Sequence, residues 1–160
     1  MKRYCSRIAV KPTTFTEDTA YQAWVNTDSK TIRLLRMHLQ LDSADAGGNG
    51  NSVFGWQRIK GTPSSTGADV IIATPYDTNQ EPSLMTVLRK QSGLTMTGVT
   101  RETYFLERSI ISKSTGSAST IEFDHNEGFF LLPGEGLCIF ADNTIIDGAG
   151  CYGMLEWGEE

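Results

Sequence analysis

Few residues in this chain have the types and spacing to do chemistry. Asp124, His125 and Glu127 form a carboxylate and imidazole set of the kind that holds a divalent ion. Ligands so close in sequence need a fourth from elsewhere and outer partners to orient them. The same residues also make an ordinary polar turn between Phe123 and Phe129, so no metal is expected. The Gly/Asn-rich segment Asp42–Asn51 has the look of a calcium loop, but an EF-hand needs a Glu at its twelfth position, where this chain has Val53. It reads as a loop tip between strands. The other histidine, His38, alternates with Arg36 and Gln40 on the polar side of a strand pattern and is expected to meet solvent or a neighbouring subunit. Trp24, Trp56 and Trp157 could stack on a sugar, but their spread over separate segments fits core and interface positions better.

Cys5, Cys138 and Cys151 form no CxxC pair and leave an odd count, which argues against a metal site or a disulfide framework. Cys138 and Cys151 lie on candidate neighbouring strands, yet buried free thiols are the simpler reading. There is no G-x-S-x-G, H-E-x-x-H, G-x-x-x-x-G-K-[ST] or G-x-G-x-x-G. Neither catalysis nor a cofactor is expected.

The elements that would have to position these residues read as strands. Leu35, Met37, Leu39 and Leu41 alternate with Arg36, His38, Gln40 and Asp42, the period of a half-buried strand. Ile32 and Leu34 fall on the opposite phase, so a bulge is expected near Leu34 and Leu35. Further strands are expected over Tyr4–Val10, Ala20–Val25, Val53–Lys60, Leu94–Val99, Arg101–Ile111 and Thr120–Asp124, with a short buried one over Asp69–Ala73. Leu84–Lys90 fits a short helix capped by Ser83 or a strand, and the β-branched Thr86 and Val87 favour the strand.

Near the C-terminus, the runs Phe129–Leu132 and Leu137–Phe140 flank Pro133-Gly134, and a last strand covers Cys151–Trp157. Pro presets φ for the second turn position and Gly supplies a positive φ at the third, so Leu132–Glu135 reads as a type II turn within a hairpin. Short strands at regular spacing, without a confident helix, indicate an all-β antiparallel sandwich or barrel. At 160 residues the chain suits one domain, residues 1–160, with a short N-terminal arm over about residues 1–18.

A net charge of −5 argues against a nucleic-acid partner, because phosphate affinity rests on clustered Lys and Arg. No apolar stretch approaches the ~20 residues of a membrane span, and Tyr4–Val10 is too short and polar for a signal peptide core. The chain is expected to fold in the cytoplasm where it is made, with no membrane partner.

The stretches Thr120–Phe123, Phe130–Ile139 and Met154–Trp157, and more weakly Ala73–Asn79 with Leu84–Arg89, resemble small structural proteins of tailed bacteriophages. In those proteins a Pro-Gly-Glu-Gly-Leu turn precedes a penultimate strand, and an aromatic-acidic strand closes the chain. The resemblance implies a jelly-roll sandwich that forms a homotrimer on the virion as a capsid decoration, or cement, protein bound to the major capsid protein. It carries no catalytic residues to transfer. Lys2, Arg3 and Arg7 are the candidate capsid contact, as basic residues on an acidic chain steered to an acidic shell. Tyr104, Leu106, Phe130, Leu132 and Trp157 are the candidate subunit interface. Two other classes fit the composition. One is a tail fibre-tip or receptor-binding module reaching a host glycan through loops such as Asp42–Asn51, although no heptads or repeats suggest a shaft. The other is a carbohydrate-binding or hydrolytic sandwich domain, which would need a titrating cluster such as Asp124–Glu127.

Overall fold

Period-two alternation governs the whole architecture. The computed structural model describes residues 1–12, 14–42, 52–103, 106–111, 117–123, 128–141, 145–146 and 150–160, and no helix occurs among them. The strands are β1 (Lys2–Val10), β2 (Thr14–Phe15), β3 (Ala20–Asn26), β4 (Ile32–Leu41), β5 (Ser52–Lys60), β6 (Asp69–Val70), β7 (Thr74–Pro75) and β8 (Met85–Arg89). They continue with β9 (Thr100–Arg101), β10 (Glu107–Ile111), β11 (Ser117–Glu122), β12 (Phe129–Leu131), β13 (Glu135–Ala141), β14 (Ile145–Ile146) and β15 (Cys151–Glu159). The candidate calcium loop from residue 43 onward, the Asp124, His125 and Glu127 cluster, and Tyr104 lie outside the described residues.

One sheet carries the order β11-β4-β15-β1-β7 and the other β10-β5-β13-β3-β8-β6, all pairs antiparallel. Setting aside the short additions, the chain alternates between sheets to give β1-β15-β4-β11 facing β3-β13-β5-β10. Two four-stranded sheets interleaved this way are a jelly roll. The fold is therefore an all-β antiparallel sandwich of jelly-roll type.

The inward residues of both sheets form the main core, with Trp24 and Trp56 at 5.0 Å and Phe15 edge-on to Phe54 at 4.7 Å. Two polar donors inside it are bonded: the Trp24 indole donates to Ser6 Oγ, and Gln22 Nε2 donates to the Cys151 carbonyl at 3.0 Å. A second, smaller core lies on the outer side of the β3–β13 sheet, where Leu94 joins Ala23, Val25, Leu88, Cys138 and Phe140. It explains why both sides of β3 are buried and why Leu94–Val99 is not the expected strand. Apart from a single bridge from Thr95 to Ser64, that segment runs as turns, and its apolar side chains roof the sheet.

The Pro133-Gly134 turn is type II as read: the Glu135 amide donates to the Leu132 carbonyl at 2.9 Å, and Gly134 has φ +80°. The expected hairpin is absent, because β12 pairs with β4 while β13 pairs with β3 and β5. Type II turns splay their flanking strands against the natural sheet twist. This one turns a corner from one sheet to the other.

The strand expected over Tyr4–Val10 is β1, paired with β15 from Lys2 opposite Glu159 to Val10 opposite Cys151, because Tyr4, Ser6, Ile8 and Val10 all face the core. Two further expectations change. Asp69–Ala73 is not a buried strand: β6 is an exposed edge, and Ile72 is 87% exposed. Arg101–Ile111 is divided between β9 and β10. The bulge is where the alternation placed it, since Glu156 opposes Arg36 and Trp157 opposes Leu34, leaving Leu35 as the extra residue.

Candidate functional site

With the β3–β13 sheet roofed, the outer side of the β1–β15–β4–β11 sheet is, among the described residues, a broad strand surface open to a partner. Its residues are set by register. Side chains of β1, β15 and β4 that alternate with the core positions point outward, and the pairing aligns them into rows across the strands. The uppermost row is Ala9, Tyr152, Gln40 and Ala118; below it come Arg7, Met154, His38 and Thr120; then Cys5, Glu156, Arg36 and Glu122. A last row holds Arg3, Gly158, Arg33 and Phe130.

The third row is an ion-pair ladder. Arg36 meets Glu122 at 2.7 Å and Glu156 at 3.9 Å. Tyr76, from the segment after β7, adds to it: partial burial, then the Glu156 charge and a hydrogen bond to it, hold the Tyr76 phenol above the usual tyrosine range. Arg3, Arg36, Glu122 and Glu156 line a groove of about 160 Å³ floored by the bulged Leu35. The ladder separates the two ends of the face.

Above it, a larger groove of about 380 Å³ is lined by Arg7, His38, Gln40, Asp42, Tyr152, Gly153 and Met154. The Tyr152 hydroxyl donates to Asp42 Oδ2 at 3.0 Å, while the Asp42 amide donates to the Gly150 carbonyl at 2.9 Å. Gly150 is needed there: a Cβ on it would sit 2.8 Å from Asp42 Oδ2 and 3.0 Å from the Tyr152 ring. His38 Nδ1 is 2.6 Å from Thr120 Oγ1, which fixes the ring and turns Nε2 away from β11.

Below the ladder the face becomes cationic and apolar. The Met1 side chain covers Gly158, Arg33 lies over the Phe130 ring at 5.9 Å, and Phe130 is 46% exposed. Leu132, 53% exposed, and Leu84 belong to the same end of the sandwich, where Asn26 bonds the Leu131 carbonyl, Thr27 the Leu84 carbonyl and Lys30 the Glu160 carbonyl.

The sequence-derived candidates thus separate. Lys2 is ion-paired with Glu81 at 2.6 Å at the end of the sandwich, whereas Arg3 and Arg7 stand on the open face, two rows apart. Phe130 and Leu132 are exposed as an interface requires, and Leu106 packs partly buried on the core. Trp157 is wholly buried within the single chain and stacks on Tyr4, so it presents no surface to a neighbour. The three tryptophans are all core residues and form no sugar platform. All three cysteines are free, with Cys138 and Cys151 buried. Sequence reading missed Tyr152, Gln40 and Asp42 as one site. The alternation that sends Cys151, Leu155 and Trp157 inward puts Tyr152, Met154 and Glu156 outward, and that was the available signal.

No family model matches the chain, and no curated protein sequence does. Among solved structures it is similar to a carbohydrate-binding module from glycoside hydrolase family 9 (Cel9A) of Ruminococcus flavefaciens FD-1, with 11% identity and a TM-score of 0.39 over 99% of this chain and 100% of that one. It is also similar to the decameric BFDV capsid protein (12%, TM-score 0.27, 98% of this chain and 97% of that one). A third is a chain of the native Kashmir bee virus virion (10%, TM-score 0.28, 98% and 70%). Likenesses at these TM-scores say nothing of what the chain binds, and the jelly roll rests on the strand order itself.

Proposed function

We propose that this protein is a binding rather than a catalytic jelly roll: a structural virion protein that decorates the outer surface of a tailed-phage capsid and stabilises it. The observation that carries the reading is the row Arg3, Met1 over Gly158, Arg33 and Phe130, continued by Leu132 at the same end of the sandwich. Cations beside exposed apolar side chains suit an acidic protein shell, the charges steering encounter and the apolar groups supplying the dry contact. The capsid partner is the major capsid protein. The contact works by area and by multivalency in a homotrimer, so it requires no active site. For the subunit contact, the segment from β6 to Tyr76 offers Val70, Ile72 and Tyr76, exposed at period two along the sandwich edge.

The test is co-sedimentation of the purified protein with capsids of the virus that encodes it, together with its mass by light scattering. Arg3→Glu combined with Phe130→Ser should reduce capsid association at least about tenfold, and Ile72→Asp should convert trimer to monomer. A protein that is a stable monomer and is absent from particles would overturn the reading. Deleting residues 1–10 is not a usable test, because it removes β1 from the sheet.

A further inference from the structure

The groove above the ion-pair ladder is not used by the docking end. Its lining combines groups that rarely share a site for a simple ion. Arg7 brings a guanidinium with five N–H donors, Gln40 an amide that both donates and accepts, His38 a ring nitrogen, and Asp42 a carboxylate. Between them lie the ring of Tyr152 and the thioether of Met154, on neighbouring outward positions of β15. An anionic ligand would gain from Arg7 but face Asp42; a cation would meet the reverse. A neutral polyhydroxylated ring can use both, with its hydroxyls bridging the polar walls and its C–H face resting on Tyr152 and Met154.

The site is also held ready. The hydrogen bond to Asp42 locks Tyr152, the lack of a side chain at Gly150 leaves room for that pair, and Thr120 holds the His38 ring. Pre-set side chains reduce the ordering cost of a weak ligand. The volume of about 380 Å³ falls within the range of small-ligand sites, about 300–1,000 Å³.

We propose that this groove, walled by Arg7, His38, Gln40, Asp42, Tyr152 and Met154, is a saccharide-binding site. It stands independently of capsid docking, which uses residues on the other side of the Glu122–Arg36–Glu156 ladder.

The experiment is an NMR titration of the full chain, following the Met154 methyl and Tyr152 ring resonances. Probes are glucose, galactose, N-acetylglucosamine, maltotriose, cellotriose and sialyllactose, with inorganic phosphate as a separate arm, each up to about 50 mM, where even millimolar affinity saturates. At least one saccharide should shift both sets of resonances saturably. Tyr152→Ala and the exposed-site variant Gln40→Ala should each weaken that saccharide at least tenfold, while Arg3→Glu leaves it unchanged. The proposal is overturned if no saccharide shifts these resonances, if only phosphate does, or if both groove variants bind as the wild type does. Loss of capsid association by the Arg3 and Phe130 variant, with saccharide binding intact, would separate the two sites.

Discussion

The indole N–H of Trp157 donates to Glu159 Oε1 at 2.9 Å, between two buried side chains on the core side of β15. The same oxygen accepts the Ser83 hydroxyl at 2.6 Å and the Leu84 amide at 2.9 Å. One carboxylate thus satisfies three donors and ties the segment before β8 to the last strand. Glu159→Ala should strand the indole and amide N–H groups and cost about 3 kcal/mol, whereas Glu159→Gln, which keeps an acceptor oxygen, should cost roughly 1 kcal/mol. Urea denaturation of both variants measures the difference. Equal losses would mean that packing, not the hydrogen bonds, sets the stability there.

Two glycines in the sheets make a contrasting pair. A Cβ on Gly136 would meet the Trp24 carbonyl at 2.5 Å and Val25 Cα at 3.0 Å, both fixed backbone of the neighbouring strand. The atoms nearest a Cβ on Gly158 all belong to the flexible end of Met1. Gly136→Ala should therefore destabilise by roughly 1–3 kcal/mol, as overpacking does. Gly158→Ala, although the position is buried, should cost less than about 0.5 kcal/mol, because the Met1 side chain can move aside. Denaturation midpoints of the two variants check this, and a tolerated Gly136→Ala would mean β3 and β13 can part.

The three thiols differ in access and in acidity. Complete burial pushes the Cys138 and Cys151 thiols far above the usual range, and partial burial with the Glu156 charge raises Cys5 less. In the folded protein an alkylating reagent should label Cys5 alone, and slowly; in urea all three should react. Mass spectrometry of intact protein counts the labels. Labelling of Cys151 in the native state would show that β15 opens.

Much of the architecture can be read from alternation, since one buried face imposes it. The β4 pattern and its phase change at Leu34 and Leu35 correspond directly to the strand and its bulge. What alternation cannot report is which neighbour covers an apolar row. Leu94, Met96 and Val99 look like a strand but roof the other sheet, and Val70 and Ile72 look buried but line an open edge. The Pro133-Gly134 turn type was legible from its two residues, while its use as a corner depended on pairings far away in sequence. The groove was least legible. Asp42 and Tyr152 are separated by 110 positions, and no local pattern connects them.

That Asp42–Tyr152 pair makes the last prediction. The hydrogen bond to the carboxylate, then its charge, then burial hold the Tyr152 phenol above the usual tyrosine range. The folded chain keeps this proton to higher pH than the unfolded chain does. The stabilisation is therefore complete below the unfolded value of about 10 and is lost as pH rises through the folded one. Asp42→Ala removes both the acceptor and the charge, so the Tyr152 titration should move down toward the free value. NMR titration of the Tyr152 ring signals in both proteins reads the shift directly. An unchanged titration in the Ala variant would mean that Asp42 does not hold the phenol, and with it the pre-set wall of the groove would be lost.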